Sequence, residues 1–140
     1  MEDFERSLPM MLYRTLDAVM PDFRALFAAF DITEQQWRVL RALWASDQQS
    51  AQALATQTLI SPPSLVGVID RLERRGLLVR ARASDDRRVV RVGLTSAGRR
   101  LQEEVAPKVE ALYEGLRGKL SEQEWDQLYA QLDKLTRAQF

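Results

Sequence analysis

The 140-residue sequence has no cysteine and no histidine. Disulfides and thiol redox sensing are therefore impossible, and so is Ser-His or Cys-His catalysis. Zinc sites of the usual nitrogen or sulfur kind are excluded with them, and no metal or other cofactor is expected. No apolar run approaches the length that spans a bilayer, so no membrane partner is expected either. The opening, Met1-Glu2-Asp3-Phe4-Glu5-Arg6, is acidic and lacks the basic-then-apolar order of a signal peptide, which makes a cytoplasmic location the expectation. The carboxylates are scattered as helix surfaces scatter them, and the chain is not expected to be an enzyme. There is no repeat, linker or low-complexity tract, and the length suits a single domain over 1–140.

Net charge is also missing, since 20 Lys and Arg balance 20 Asp and Glu. The balance conceals an uneven distribution. Residues 71–100 hold ten arginines against Glu73, Asp85 and Asp86, a net of +7, while the first seventy residues carry −4 and the last forty −3. A basic patch confined to one stretch is a directed electrostatic footprint, and acidic flanks keep the rest of a molecule off phosphates.

Periodicity and capping signals divide the chain into helices around this stretch. Leu8, Leu12, Leu16 or Val19, Phe23, Leu26, Phe27 and Phe30 follow helical spacing, and Pro21 should kink or split that first helix near Met20. Thr33-Glu34-Gln35-Gln36 reads as a capping box opening a second helix, about 34–46, that buries Trp37, Leu40, Leu43 and Trp44. Ser50 caps a short third helix through Leu54 and Thr58. Ser61 caps a fourth, with Pro62 in its first turn, an inward stripe of Leu65, Val68, Ile69 and Leu72, and a stop at Gly76. The segments Leu77–Ala83 and Val89–Leu94 alternate about the turn Ser84-Asp85-Asp86-Arg87-Arg88. They read as a hairpin with one packed face, Leu77, Val79, Ala81 and Ala83, and one wet face, Leu78, Arg80 and Arg82. Thr95 caps a long fifth helix with Leu101, Val105, Leu112 and Leu116 on one stripe and a bend at Pro107. Ser121-Glu122-Gln123-Glu124 opens a sixth, with Trp125, Leu128, Leu132 and Leu135 inward.

A capped helix, a glycine stop and a ribbon tipped with paired arginines is the order of parts in a winged helix. The expected fold is mainly α with a small β-hairpin wing. It comprises a winged helix-turn-helix over about 33–94, flanked by amino- and carboxy-terminal dimerisation helices over about 5–30 and 95–138. The flanking helices carry more apolar residues than the edge of a bundle needs. Either they pack only on their own core or they interlock with a second copy. A single module has few phosphate contacts, which favours a homodimer whose two reading helices meet two half-sites.

Double-stranded DNA is the partner this arrangement fits. The amino-terminal end of the fourth helix should meet base edges, which nominates Ser61, Pro62, Pro63, Ser64, Val66 and Gly67. Ser64 can bond a base or a phosphate, the prolines and Val66 offer apolar contact such as a thymine methyl takes, and Arg71 is better placed for phosphate. Arg87 and Arg88 suit a narrow minor groove, and Asp85 or Asp86 can stiffen the tip through a bidentate pair with a neighbouring arginine. The competing reading is a winged helix that contacts protein, which would tolerate Arg87→Ala and Arg88→Ala and show little salt dependence.

Arg71-Leu72-Glu73-Arg74-Arg75-Gly76-Leu77-Leu78, Asp86-Arg87-Arg88-Val89-Val90 and Leu94-Thr95-Ser96-Ala97-Gly98 together resemble the MarR family of bacterial transcriptional regulators. The resemblance implies a triangular homodimer with entwined terminal helices, repression through pseudo-palindromic operators, and release by a small molecule. Leu8-Pro9-Met10-Met11-Leu12-Tyr13-Arg14, Thr33–Leu40 and Pro63–Gly67 are similar to the branch governing homoprotocatechuate and related aromatic-acid breakdown. The resemblance also implies an effector site between the dimer helices and the winged helix. A small organic acid there would have its carboxylate clamped by Arg14 and its ring packed by Met10 or Met11, Phe23 and Trp37. Alternatively, Arg14 makes a salt bridge across the dimer and Trp37 is plain core. The family's oxidant-sensing mechanism requires the cysteine this chain lacks.

Overall fold

The computed structural model describes residues 1 and 3–137, so residue 138, the last of the anticipated carboxy-terminal range, lies outside the described residues. A short 3-10 turn, Phe4–Arg6, precedes α1 (Leu8–Ala29) and α2 (Glu34–Ala45). Next come β1 (Gln49–Ser50), α3 (Ala51–Thr58), α4 (Pro62–Arg74), β2 (Leu78–Arg82) and β3 (Val90–Leu94). Two further helices, α5 (Ser96–Arg117) and α6 (Glu122–Arg137), close the described chain. This is the winged helix-turn-helix arrangement that the spacing predicts, with α3 and α4 as the helix pair and β2–β3 as the wing.

Capping chemistry sets most of these boundaries. The Thr33 hydroxyl accepts from Gln36 N and the Gln36 side chain accepts from Thr33 N, each at 3.1 Å, which completes the capping box. Ser50 accepts from Ala53 N, and Thr95 from Gly98 N. Ser121 and Glu124 exchange the same reciprocal pair at the start of α6. Ser61 departs from its expected role. It occupies the cap position of α4 but accepts no backbone bond, and its hydroxyl donates instead to Ser64 Oγ at 3.0 Å. Pro62 and Pro63 fill the first two helical positions, so one of the two amide donors a cap normally serves does not exist.

The core gathers Phe23 and Phe27 from α1 and Val39, Leu40 and Leu43 from α2. It adds Leu54 from α3, Leu65, Val68, Ile69 and Leu72 from α4, and Leu78, Val92 and Leu94 from the sheet. Three sequence-based expectations need correction against it. First, of the kink or split expected at Pro21, the split does not occur: α1 runs unbroken through the proline. Pro21 and Asp17 are exposed, so the carbonyl that loses its partner lies at the wet surface. Buried Phe23 and half-buried Val19 and Met20 hold both sides of the proline to the core. Second, the hairpin is part of a three-stranded antiparallel sheet, ordered β1-β3-β2, in which Gln49 pairs with Val92. Leu77 and Ala83 are buried and Arg82 is exposed as expected, but between them, over residues 78–81, the faces are the reverse of those expected. Leu78 is buried and Arg80 partly so, whereas Val79 and Ala81 are exposed. Third, α6 buries no residue: Leu128, Leu132 and Leu135 are exposed and Trp125 only half-buried. The core cluster includes no α6 residue, so among the described residues nothing packs Leu128, Leu132 and Leu135 into the core.

One junction ties α4 to the rest. Gly76, at φ 73°, closes α4, with Gly76 N donating to Glu73 O and Leu77 N to Leu72 O. Thr95 N then donates to Leu77 O and its hydroxyl to Gly76 O. Trp44 Nε1 donates to Gly98 O at 3.0 Å. A β carbon on Gly98 would collide with the Leu77 carbonyl, so α5 starts hard against the end of α4 only because residue 98 is glycine.

Candidate nucleic-acid interface

Two projecting features carry the residues nominated for DNA. At the start of α4, Ser61, Pro62, Pro63, Ser64 and Val66 are all exposed, and Gly67 is half-buried. Leu65, Val68, Ile69 and Leu72 hold the opposite side of that helix in the core, so the helix is free to enter a groove while rigidly backed. Arg71 is exposed and lies one turn beyond Gly67, its Nη1 3.9 Å from where a β carbon on Gly67 would stand. It also borders a cleft of about 520 Å³ with Arg74, Arg75, Thr33 and Gln36. Arg75 donates to the carbonyls of Asp31 and Phe30, whereas Arg71 and Arg74 make no ion pair among the described residues.

The second feature is the wing. Ala83 N donates to Val89 O and Val89 N to Asp86 O, which closes the loop beyond the last strand pair. Asp86, not Asp85, holds the tip. Its Oδ1 accepts from Arg88 N at 3.0 Å and Nε at 3.1 Å, and its Oδ2 from Arg88 Nη2 at 3.2 Å. These hydrogen bonds from the Arg88 side chain, and then from its backbone, keep the Asp86 carboxyl below the ordinary aspartate range. The Arg88 side chain nevertheless remains 91% exposed, so a guanidinium is aimed without being covered. Arg82 Nη1 braces the same loop by donating to Arg87 O at 2.6 Å, and Arg87 projects with no ion pair among the described residues.

The residues nominated for an effector fall into two groups. Phe23 and Trp37 belong to one aromatic series: Tyr113 meets Phe23 at 5.4 Å, Phe27 stacks on Trp37 at 4.6 Å, and Trp37 meets Trp44 edge-on at 5.5 Å. Met10, Met11 and Arg14 lie at the opposite end of α1, where Met11 and Arg14 are exposed and Met10 is half-buried. Arg14 is nine residues, about 13 Å, from Phe23 along the helix. Its guanidinium pairs with Glu5 at 3.6 Å, and both side chains are more than half exposed.

Sequence reasoning missed one cationic side chain here. Trp37 also borders a groove of about 770 Å³ between α2 and the end of α3, together with Arg38, Arg41, Ala42, Thr58 and Leu59. Arg38 is engaged by Glu34 and the Thr58 carbonyl, whereas Arg41 has no ion pair among the described residues. The spacing of Trp37 and Arg41, one helical turn on the same face, was the available signal. Among the described residues no group of three or more carboxylates could hold a metal ion, and no helix is long and apolar enough to cross a membrane.

Comparison with known proteins agrees with this arrangement. The profile described as the MarR family matches residues 32–90. The chain is 39% identical to the HTH-type transcriptional regulator FarR of Neisseria gonorrhoeae, over 79% of this chain and 75% of that protein. It is 32% identical to the homoprotocatechuate degradative operon repressor of Escherichia coli, over 87% of this chain and 82% of the repressor. Among solved structures, NadR in complex with 4-hydroxyphenylacetate superposes with a TM-score of 0.84 at 33% identity, covering 99% of each chain. The transcriptional repressor CouR bound to a 23-mer DNA duplex superposes at 0.86 with 31% identity, covering 98% of this chain and 99% of CouR.

Proposed function

The chain belongs to the MarR family of transcriptional regulators, and from that premise we propose that it is a homodimeric repressor that a small aromatic carboxylate releases from a pseudo-palindromic operator. The observation that carries the DNA reading is the Asp86–Arg88 fork. It presents an exposed, pre-aimed guanidinium at the end of a hairpin, within the arginine-dense part of a chain whose net charge is zero. Such a group gains from the concentrated negative potential of a narrow minor groove, while Ser64, Val66 and Gly67 on α4 face base edges in the adjacent major groove and Arg71 a phosphate. The work takes place in the cytoplasm, where operator DNA is. Regulators of this family are generally non-enzymatic, and the residues above bind and position rather than react.

The dimer is formed by the helices flanking the winged unit. Leu8, Leu12 and Leu16 on α1 and Leu128, Leu132 and Leu135 on α6 are exposed at helical spacing, and grouped apolar exposure of this kind marks an interaction surface. The effector enters beside Trp37. Arg41 takes the carboxylate bidentately, and the indole packs the ring. Met10, Met11 and Arg14, too far along α1 to reach Trp37 of their own chain, complete the site from the second subunit. NadR binds 4-hydroxyphenylacetate, and the E. coli relative represses a homoprotocatechuate operon, which is why an aromatic acid is the class to try. The ligand acts only to the extent that it binds the released spacing of the two reading helices more tightly than the bound one.

The test is fluorescence anisotropy with the duplex upstream of this protein's gene, against a scrambled duplex, at two salt concentrations. Selective, salt-weakened binding that hydroxyphenylacetates and related acids reverse is the expected result. Failure of a genomic DNA selection to enrich any site would sink the repressor reading. Effector binding to the DNA-bound dimer without release would sink the regulatory half.

A further inference from the structure

The reading helix carries two carboxylates, which is unexpected on a surface that approaches phosphates. Asp70 and Glu73 lie one turn apart on the side of α4 that faces β2, and Arg80 of β2 answers both. Its Nη1 donates to Glu73 Oε2 at 3.0 Å, and its Nη2 donates to Asp70 Oδ1. All three side chains keep about a third of their surface exposed, at 34%, 37% and 38%. Ion pairs this wet add little to global stability. Their geometry is nevertheless specific. A planar fork can span two carboxylates at once, whereas the single ammonium of lysine is a point charge that serves them poorly. The strand that carries Arg80 ends at Arg82, which braces the wing loop at the Arg87 carbonyl. The clamp therefore joins the helix that enters one groove to the hairpin that reaches the next.

We infer that Arg80 is a positioning residue for DNA reading: by bridging Asp70 and Glu73 it sets the angle and spacing between the reading helix and the wing. The inference rests on the DNA-reading function proposed above. It has a consequence opposite in sign to simple electrostatics. Removing two negative charges from a DNA-binding face should strengthen binding if those charges merely repel phosphate. If they hold Arg80, and through it the wing, removing them weakens binding.

The experiment compares operator affinity of the full-length dimer for wild type, the Asp70→Asn/Glu73→Gln pair, Arg80→Lys, and all three substitutions combined. The carboxamide pair is expected to bind about tenfold more weakly, with melting temperature and dimer state unchanged. Arg80→Lys, which keeps the charge, is expected to lose a similar amount, and the combination no more than either alone, because one clamp is broken each time. Amide hydrogen exchange over residues 84–89 should quicken in every variant, with or without DNA. The salt dependence should stay that of wild type, because no phosphate contact is lost, whereas loss of a direct contact lowers the slope by about one. Carboxamide variants that bind as tightly as wild type or more tightly would overturn the inference. So would additive losses with a reduced salt slope, which would make Arg80 a phosphate ligand. A wild-type chain that does not distinguish operator from scrambled duplex would overturn the DNA reading itself, a result read before any variant is compared.

Discussion

Arg88 and Asp86 define how much a single side chain contributes at the wing. The carboxylate aims the guanidinium, and the guanidinium lowers the pKa of the carboxylate, so each is a measure of the other. Arg88→Ala should weaken operator binding and reduce the slope of log affinity against log salt by about one, as measured by anisotropy titrations. Asp86→Asn should cost less, because the cation remains but loses its aim. The pH dependence follows in sign. The folded-state value of Asp86 is depressed, so its contribution to wing order is complete above the ordinary aspartate range and is lost only as pH falls through the lowered value. Nuclear magnetic resonance of the Arg88 Nε–H, followed on acidification, should show the pair surviving where an unpaired aspartate has already protonated.

The helices differ in how they are started and stopped, and the differences can be measured. Ser50→Ala and Thr95→Ala each remove a cap that accepts a backbone N–H, and each should cost about 1 kcal/mol in urea unfolding. Ser61→Ala should cost only a few tenths, because that hydroxyl bonds Ser64 rather than the backbone. Equal losses at all three positions would contradict this account of α4. Pro21 is the converse case. It interrupts the hydrogen-bond ladder of an otherwise continuous α1, so Pro21→Ala should stabilise the protein by about 1–3 kcal/mol.

Across the described chain, the exposed leucines other than Leu59 lie on the flanking helices or at the α5–α6 turn. The winged unit is backed by a closed core, whereas the amino-terminal half of α1 and the length of α6 leave leucines in water. Leu128→Glu combined with Leu132→Glu should leave the winged unit folded, with the Trp37–Trp44 fluorescence retained. The same pair should produce monomers in sedimentation velocity and a large loss of operator affinity, since one reading helix and wing make few phosphate contacts. Arg41→Ala should leave operator binding intact and abolish its reversal by aromatic acids. That pattern would separate the effector groove from the DNA surface.

Much of the fold depended on local chemistry and was therefore readable from the chain. Capping boxes at Thr33 and Ser121, the glycine stop at 76 and the helical stripe of Leu65, Val68, Ile69 and Leu72 involve residues three or four apart. The arginine density over 71–100 and the Asp86-Arg87-Arg88 tip are local in the same sense. What local pattern could not decide was which partner each residue meets across the fold. A two-residue strand at Gln49 has no periodicity of its own and exists only because Val92 lies opposite it. Whether Val79 or Arg80 faces inward depended on Asp70 and Glu73 waiting on α4, since a charge turns toward the core only where opposite charges receive it. Arg41 became a candidate ligand only when α3 formed the other wall of its groove, and the stripe on α6 proved uncovered only once the rest of the chain had packed without it. Sequence alone determined the helices, the hairpin and the place of the positive charge because those are near-neighbour effects. Tertiary structure alone decided faces, clamps and open surfaces because these depend on contacts between residues far apart in the chain.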